Sequence, residues 1–224
     1  SVAISYRLEM QADGAETIQQ RYPYAGADNP RVSLWMFDLQ SRSNRCIWQD
    51  SAEINSEDVY LARVQVQADS VYIQTQDRRQ QRLTLKRLAL QDSEASWQLL
   101  HQETSTSWIN LNDDLTILDP HRIVISNESS GTNQLYLLDG QGKCTPLLCP
   151  AHINAVRHAG DDHVLVSGWH ESPIENHLFK VALNGDPWLQ LTTQEGWHDV
   201  VIAPDASPFI DRYSHESQPP SICL

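Results

Sequence analysis

At 224 residues, with 40% hydrophobic side chains and seven tryptophans, the chain is long and apolar enough for a sizeable core, which argues against disorder. A total of 16 Lys and Arg against 29 Asp and Glu gives a net charge of −13, which repels nucleic-acid phosphates and anionic headgroups, so no nucleic-acid partner is expected. No window approaches the roughly 20 uninterrupted apolar residues of a membrane helix, and this segment is expected to make no membrane contact.

The first residues, SVAISYRLEM, read as a strand, and the last, SICL, stop in mid-pattern, so the chain is expected to be a piece of a longer protein. Between them, short runs of Val, Ile, Leu, Tyr and Trp alternate with clusters of Gly, Asp, Asn, Ser and Pro, the pattern of strands and tight turns. Strands are predicted at residues 32–39, 62–66, 71–75, 83–90, 97–101, 122–126, 134–138, 163–167, 178–183 and 200–203. The chain is therefore expected to be all-β.

These strands fall into groups. A turn with an aspartate separates the first two strands of each, at Asp69, Asp119, Asp162 and Asp205, positions 50, 43 and 43 residues apart. A second ruler agrees, because Leu135 and Leu178 are also 43 apart and each opens a strand running into a turn with Gly140 or Gly185. A period of about 40 to 50 residues with four strands per unit is that of propeller blades, since one small sheet cannot bury both faces until its neighbours stack on it. The expectation is a partial β-propeller of about four to five four-stranded antiparallel blades, with solenoid and sandwich as minor alternatives. An incomplete ring leaves two blade faces uncovered, which predicts a marginal, sticky or homodimeric piece.

Catalytic and cofactor motifs are missing from this stretch. There is no GxSxG, and the serine-rich segments SNESSGTN and VSGWHES lack its paired glycines and sit among turns. The histidines at 158, 163, 170 and 177 form no HExxH and share no helical face, so no metal is expected. Dispersed glycines without a phosphate-cradling motif predict no nucleotide cofactor. Cys46, Cys144, Cys149 and Cys223 fit no zinc spacing and are expected to be reduced and buried, Cys144 and Cys149 meeting only if the chain turns at Pro146. Arg78 and Arg79, after Asp77, form a basic patch read either as a solvated hairpin tip or as a structural arginine pair reaching a neighbouring blade or carboxylate.

Several stretches together resemble the N-terminal propeller of the dipeptidyl peptidase IV subfamily of the prolyl oligopeptidase family. The most specific is RYPYAGADNPRV at 21–32; YLARVQVQADS at 60–70, RRQ at 78–80, SWINLNDDLTIL at 107–118, SPIENHLFKV at 172–181 and GWH at 196–198 follow in the family's order. The resemblance implies an eight-bladed parent propeller, of which residues 1–224 are the C-terminal part, paired with an α/β-hydrolase domain that this stretch does not include. It implies a serine enzyme that removes dipeptides from a free amino terminus after proline or alanine, its peptide partner held between the two domains. Members work in the periplasm, at the cell surface or in the cytosol, with a bacterial envelope favoured here. The glutamate pair that binds the substrate ammonium precedes the YPxAG stretch in family members and is not among these residues, and no catalytic residue is assigned. Thr132 and Asn133 are the substrate-cleft candidates, because they stand where family members carry an aromatic residue and an arginine. That departure removes a cation and an aromatic face, so substrate preference differs or the contact comes from elsewhere. Val66 likewise stands where members often have Trp. The competing function is a propeller that binds proteins without catalysis, distinguished by whether the gene encodes GxSxG downstream and Glu-Glu upstream.

Overall fold

The structure is a computed structural model that describes residues 2–50, 59–91, 94–204, 206 and 208–223. Among these residues it contains no α-helix, and it is a partial β-propeller. The chain divides into two units, Ser1–Leu61 with Thr75–Arg78, and Ala62–Gln74 with Arg79–Leu224.

In the first unit, β1 (Ile4–Gln11) and β2 (Gly14–Arg21) form a hairpin in unbroken register from Ile4↔Arg21 to Gln11↔Gly14. Ile4, Tyr6, Leu8 and Met10, which alternate along β1, are all exposed. A second ribbon pairs β3 (Ser33–Phe37) with β4 (Asn44–Gln49). Between the ribbons, the RYPYAGADNPRV stretch turns where Ala27 N–H donates to Tyr24 O at 2.9 Å, and Arg78 Nη2 donates to Ala27 O at 2.9 Å. One arginine of the basic patch is thus bound to the backbone of the most family-specific stretch.

Four sheets follow. The first is β5 (Val59–Gln67), β6 (Ser70–Asp77), β7 (Arg82–Ala89) and β8 (Gln98–Thr104), in that order, with β5 and β6 containing residues of both units. The next two are β9 (Thr116–Asp119), β10 (Arg122–Asn127), β11 (Gln134–Leu138) and β12 (Cys144–Pro146), then β13 (His152–Ala159), β14 (His163–Trp169), β15 (His177–Ala182) and β16 (Leu189–Gln190). The last has three strands, β17 (Trp197–Ile202), β18 (Phe209–His215) and β19 (Gln218–Cys223). Against the expected four to five four-stranded blades, the described residues thus form three such sheets, one of three strands and two ribbons. Asp69, Asp119 and Asp162 lie at the turns between first and second strands, as the period predicts, while Asp205 lies outside the described residues.

Stacking explains why strands here are apolar on both faces. Along β10, Ile123 and Ile125 pack toward Tyr72, Leu85 and Leu100 of the preceding sheet, while Val124 between them packs toward Ile153, Val164 and Val166 of the following one. Along β15, Phe179 and Val181 join that second cluster, and Leu178 turns to a third with Leu165 and Val200. Leu135, Leu178 and Phe179 are fully buried, and a side chain of this size stabilises by about 1.5–3 kcal/mol when removed from water. The last sheet shows the contrast: Val200 and Tyr213 are buried, whereas Val201, Ile210 and Ile222 are exposed.

The thiols are free, but Cys46, Cys144 and Cys223 are exposed rather than buried, because all three lie in edge or outer strands. Cys149 is packed against a core cluster, and burial raises its pKa to about 11.

Candidate functional site

In the second unit, one backbone contact recurs in three successive sheets. A residue one or two positions ahead of the third strand offers its carbonyl to an N–H near the start of the following sheet or in the segment leading into it. Ile109 N donates to Gln80 O at 2.7 Å, Ile153 N to Asn133 O at 3.0 Å and His198 N to Asn176 O at 2.8 Å. At the two asparagines the side chain closes the contact: Asn133 Nδ2 donates to Ile153 O at 2.8 Å, and Asn176 Nδ2 to His198 O at 2.5 Å. Their amide oxygens are occupied too, by Asn112 Nδ2 at 3.1 Å and Asn154 Nδ2 at 2.8 Å. Each asparagine clips its sheet to the next through its amide nitrogen, while its amide oxygen is held from the first strand of its own sheet or the segment leading into it, and both are buried.

These clips define a series of surface slots at one end of the sheets. The residue before each clip is Arg79, then Thr132, then Glu175; the aromatic residue before each clipped one is Trp108, then His152, then Trp197. Of the two cleft candidates, Thr132 is exposed, its Oγ1 accepting from Gln134 Nε2 and its carbonyl from Ser130 Oγ, while the Asn133 side chain is engaged within the fold. The first slot carries the exposed Arg79. In the second, the His152 ring stacks on Trp169 at 5.6 Å and 13°. That stacking needs Gly168, since a Cβ there would lie 2.0 Å from His152 O.

The third slot opens into a cavity of about 480 Å³ lined by Ile174, Glu175, Gly196, Trp197, Ser214, His215 and Glu216. Beneath it lies a polar layer. His177 Nε2 meets Glu175 Oε2 at 3.0 Å, and His198 bridges Asp211 Oδ2 through Nδ1 and Gln194 O through Nε2, each at 2.7 Å. The His198 ring stacks on Tyr213 at 5.3 Å and lies 4.9 Å from His177. Neither Glu175 nor Trp197 belongs to a motif legible in the sequence as a site, although Glu175 stands one 43-residue period after Thr132.

Arg63 was also missed. On β5, it donates through Nη1 to Asn112 O at 2.5 Å and pairs through Nη2 with Asp113, fastening the YLAR stretch to the NLNDD stretch. Asp114 next to it accepts from Ser126 Oγ at 2.7 Å and from Val156 N at 2.8 Å, bridging consecutive sheets. Among the described residues, no group of three or more His, Cys, Asp and Glu is placed to hold a metal ion, and no helix is long and apolar enough to cross a membrane.

Stacked antiparallel four-stranded sheets, clipped to one another in a repeating register, define a β-propeller module. The dipeptidyl peptidase IV N-terminal region family matches residues 1–220, and the chain belongs to that family. Its fold is similar to that of Porphyromonas gingivalis dipeptidyl peptidase 4, with a TM-score of 0.84 and 19% identity, over 99% of this chain and 32% of that one. It is also similar to a protein assigned as a dipeptidyl aminopeptidase IV from Bacteroides ovatus, with a TM-score of 0.77 and 18% identity, over 99% of this chain and 34% of that one. The chain spans about a third of the length of either structure.

Proposed function

We propose that this chain is the propeller segment of a serine-type dipeptidyl peptidase, admitting and orienting peptides for release of amino-terminal Xaa-Pro or Xaa-Ala dipeptides. The family match over residues 1–220 carries the reading. In it, residues 1–224 are the C-terminal part of an eight-bladed propeller, and a hydrolase domain elsewhere in the polypeptide supplies the Ser, Asp and His that cut the bond. The slots at the clipped end of the sheets face the peptide. Thr132 stands at the mouth, Asn133 holds the connection that presents it, and Arg78 and Arg79 shape the neighbouring connection. A propeller at such a mouth contributes by restricting which chain ends reach the nucleophile and in what orientation, which lowers the entropic part of the barrier.

A second reading is favoured by the pair at 132 and 133, where a hydroxyl and a buried amide stand in place of an aromatic residue and an arginine: a propeller that binds peptides without cleaving them. The test is to capture the native gene product with an antibody against this segment and assay it on a Gly-Pro chromogenic amide. A product well above 25.4 kDa that cleaves, and is blocked by a serine-directed inhibitor, supports the peptidase. A large inactive product supports the second reading, and a product of this chain's own size overturns the first.

A further inference from the structure

We propose that the cavity bounded by Glu175, Trp197 and Glu216 binds a basic side chain of a peptide, an organic cation on an apolar stem. This rests on the reading of the clipped end as peptide-facing and extends it to a slot one repeat beyond Thr132.

The three slots share a backbone frame but differ in what they present. At the first, a cation stands at 79; at the second, a hydroxyl stands at 132 and the aromatic ring is covered by Trp169. Only the third combines a carboxylate with an uncovered indole. Trp197 is 50% exposed, and among the described residues no ring stacks on it. An indole face is the best aromatic partner for a cation.

Glu175 is held in place rather than free to swing. Its Oε2 accepts from His177 Nε2 at 3.0 Å, its side chain is 26% exposed and so partly desolvated, and it lines the cavity. Glu216 adds an exposed carboxylate from the turn between β18 and β19. Ile174 supplies an apolar wall, and no lysine or arginine lines the space. A volume of about 480 Å³ lies within the range of small-ligand sites. Two carboxylates and an aromatic face suit a guanidinium better than an ammonium, because its planar fork can bond and stack at once.

The test is saturation-transfer NMR on the intact gene product with Nα-acetyl-L-arginine amide, its neutral isostere Nα-acetyl-L-citrulline amide, and Gly-Pro amide, whose only cation is its amino terminus. The arginine probe is expected to bind, and the citrulline probe to bind about fivefold more weakly or not at all. Glu216→Gln and Trp197→Leu are each expected to weaken the arginine probe about three- to tenfold, with thermal melting of Glu216→Gln unchanged as the control for folding. Equal binding of the arginine and citrulline probes, no binding of either, or indifference to both substitutions overturns the proposal. So does a Gly-Pro amide signal that is lost in Glu216→Gln while the arginine signal is not, since the cavity would then take a chain terminus. Dipeptide release is assayed separately; its absence bears on the peptidase reading and leaves these binding outcomes standing.

Discussion

His198 occupies, in the last sheet, the position that Ile153 occupies one sheet earlier. Each donates its backbone N–H to the carbonyl of a clipping asparagine, and each is fully enclosed, at 2% and 0% exposure. An imidazole in a hydrophobic slot requires partners, and here both nitrogens have them. Nε2 meets the Gln194 carbonyl, which can only accept, and Nδ1 lies 2.7 Å from Asp211 Oδ2.

His198→Ile therefore restores the residue type of the neighbouring repeat yet is expected to destabilise. It leaves Asp211, whose Oδ1 already lacks a partner, as an uncompensated buried acid, at a cost of about 3 kcal/mol. The double change His198→Ile with Asp211→Val should recover most of that loss. Urea melts of the parent and the two variants check this, and a double variant no more stable than the single one would show that the slot itself rejects isoleucine.

Asn133→Ala is expected to cost about 2 kcal/mol, because it strands the Ile153 carbonyl and the Asn112 amide in a buried site. That corresponds to a fall in melting temperature of roughly 4–8 °C. Thr132→Ala beside it should stay within about 0.5 kcal/mol of the parent, as an exposed position does. Equal effects at the two sites would remove the clip as an account of Asn133.

Burial, with a further push from the Glu128 carboxylate, raises the Glu103 carboxyl above the ordinary glutamate value. A raised native value means that Glu103 favours the fold only when protonated, a contribution present below the ordinary value and lost as pH rises through the native one. Glu103→Gln is thus expected to raise the melting temperature by about 1–3 °C at pH 7 and to leave it unchanged near pH 4. Asp139 has the opposite sign. The backbone N–H groups of Lys143 and Gln141 lower its value, so its contribution holds above the ordinary aspartate range and is lost as pH falls through the native value. Asp139→Asn should flatten the acid limb of the melting curve, and a limb of unchanged slope would argue against this turn as a source of acid lability.

Native-state alkylation with iodoacetamide at pH 8 is expected to modify Cys46 and Cys223 before Cys149. The first two are exposed, whereas burial holds the Cys149 thiol at about 11, with little thiolate to react. Peptide mapping over time reads the order, and Cys149 modified as early as Cys223 would contradict the packing around it.

What was legible in the sequence was local. All ten strands predicted from apolar runs and turn residues coincide with strands, and the clearest of them, such as RIVISN of β10 and HVLVSGW of β14, are buried on both faces and read as nearly unbroken hydrophobic stretches. Strands that do not read as apolar runs have other chemistry. Along β13, the run HINAVRHA is broken by two register shifts, β18 alternates polar and apolar residues with only Tyr213 fully buried, and β19 contains two prolines at a sheet edge.

The blade period was equally readable, since each four-stranded meander is closed by nearby turns at Asp69, Asp119 and Asp162, whose conformations depend on a few adjacent residues. What only the tertiary structure decided is which side chains meet across blades. Asn133 reaches Ile153 and Asn176 reaches His198 over 20 and 22 residues, and the cavity at Glu175 exists only because the end of one sheet abuts the opening of the next. Composition and spacing carry no record of such contacts, because stacking angle and depth, rather than local propensity, bring those backbones within hydrogen-bonding distance.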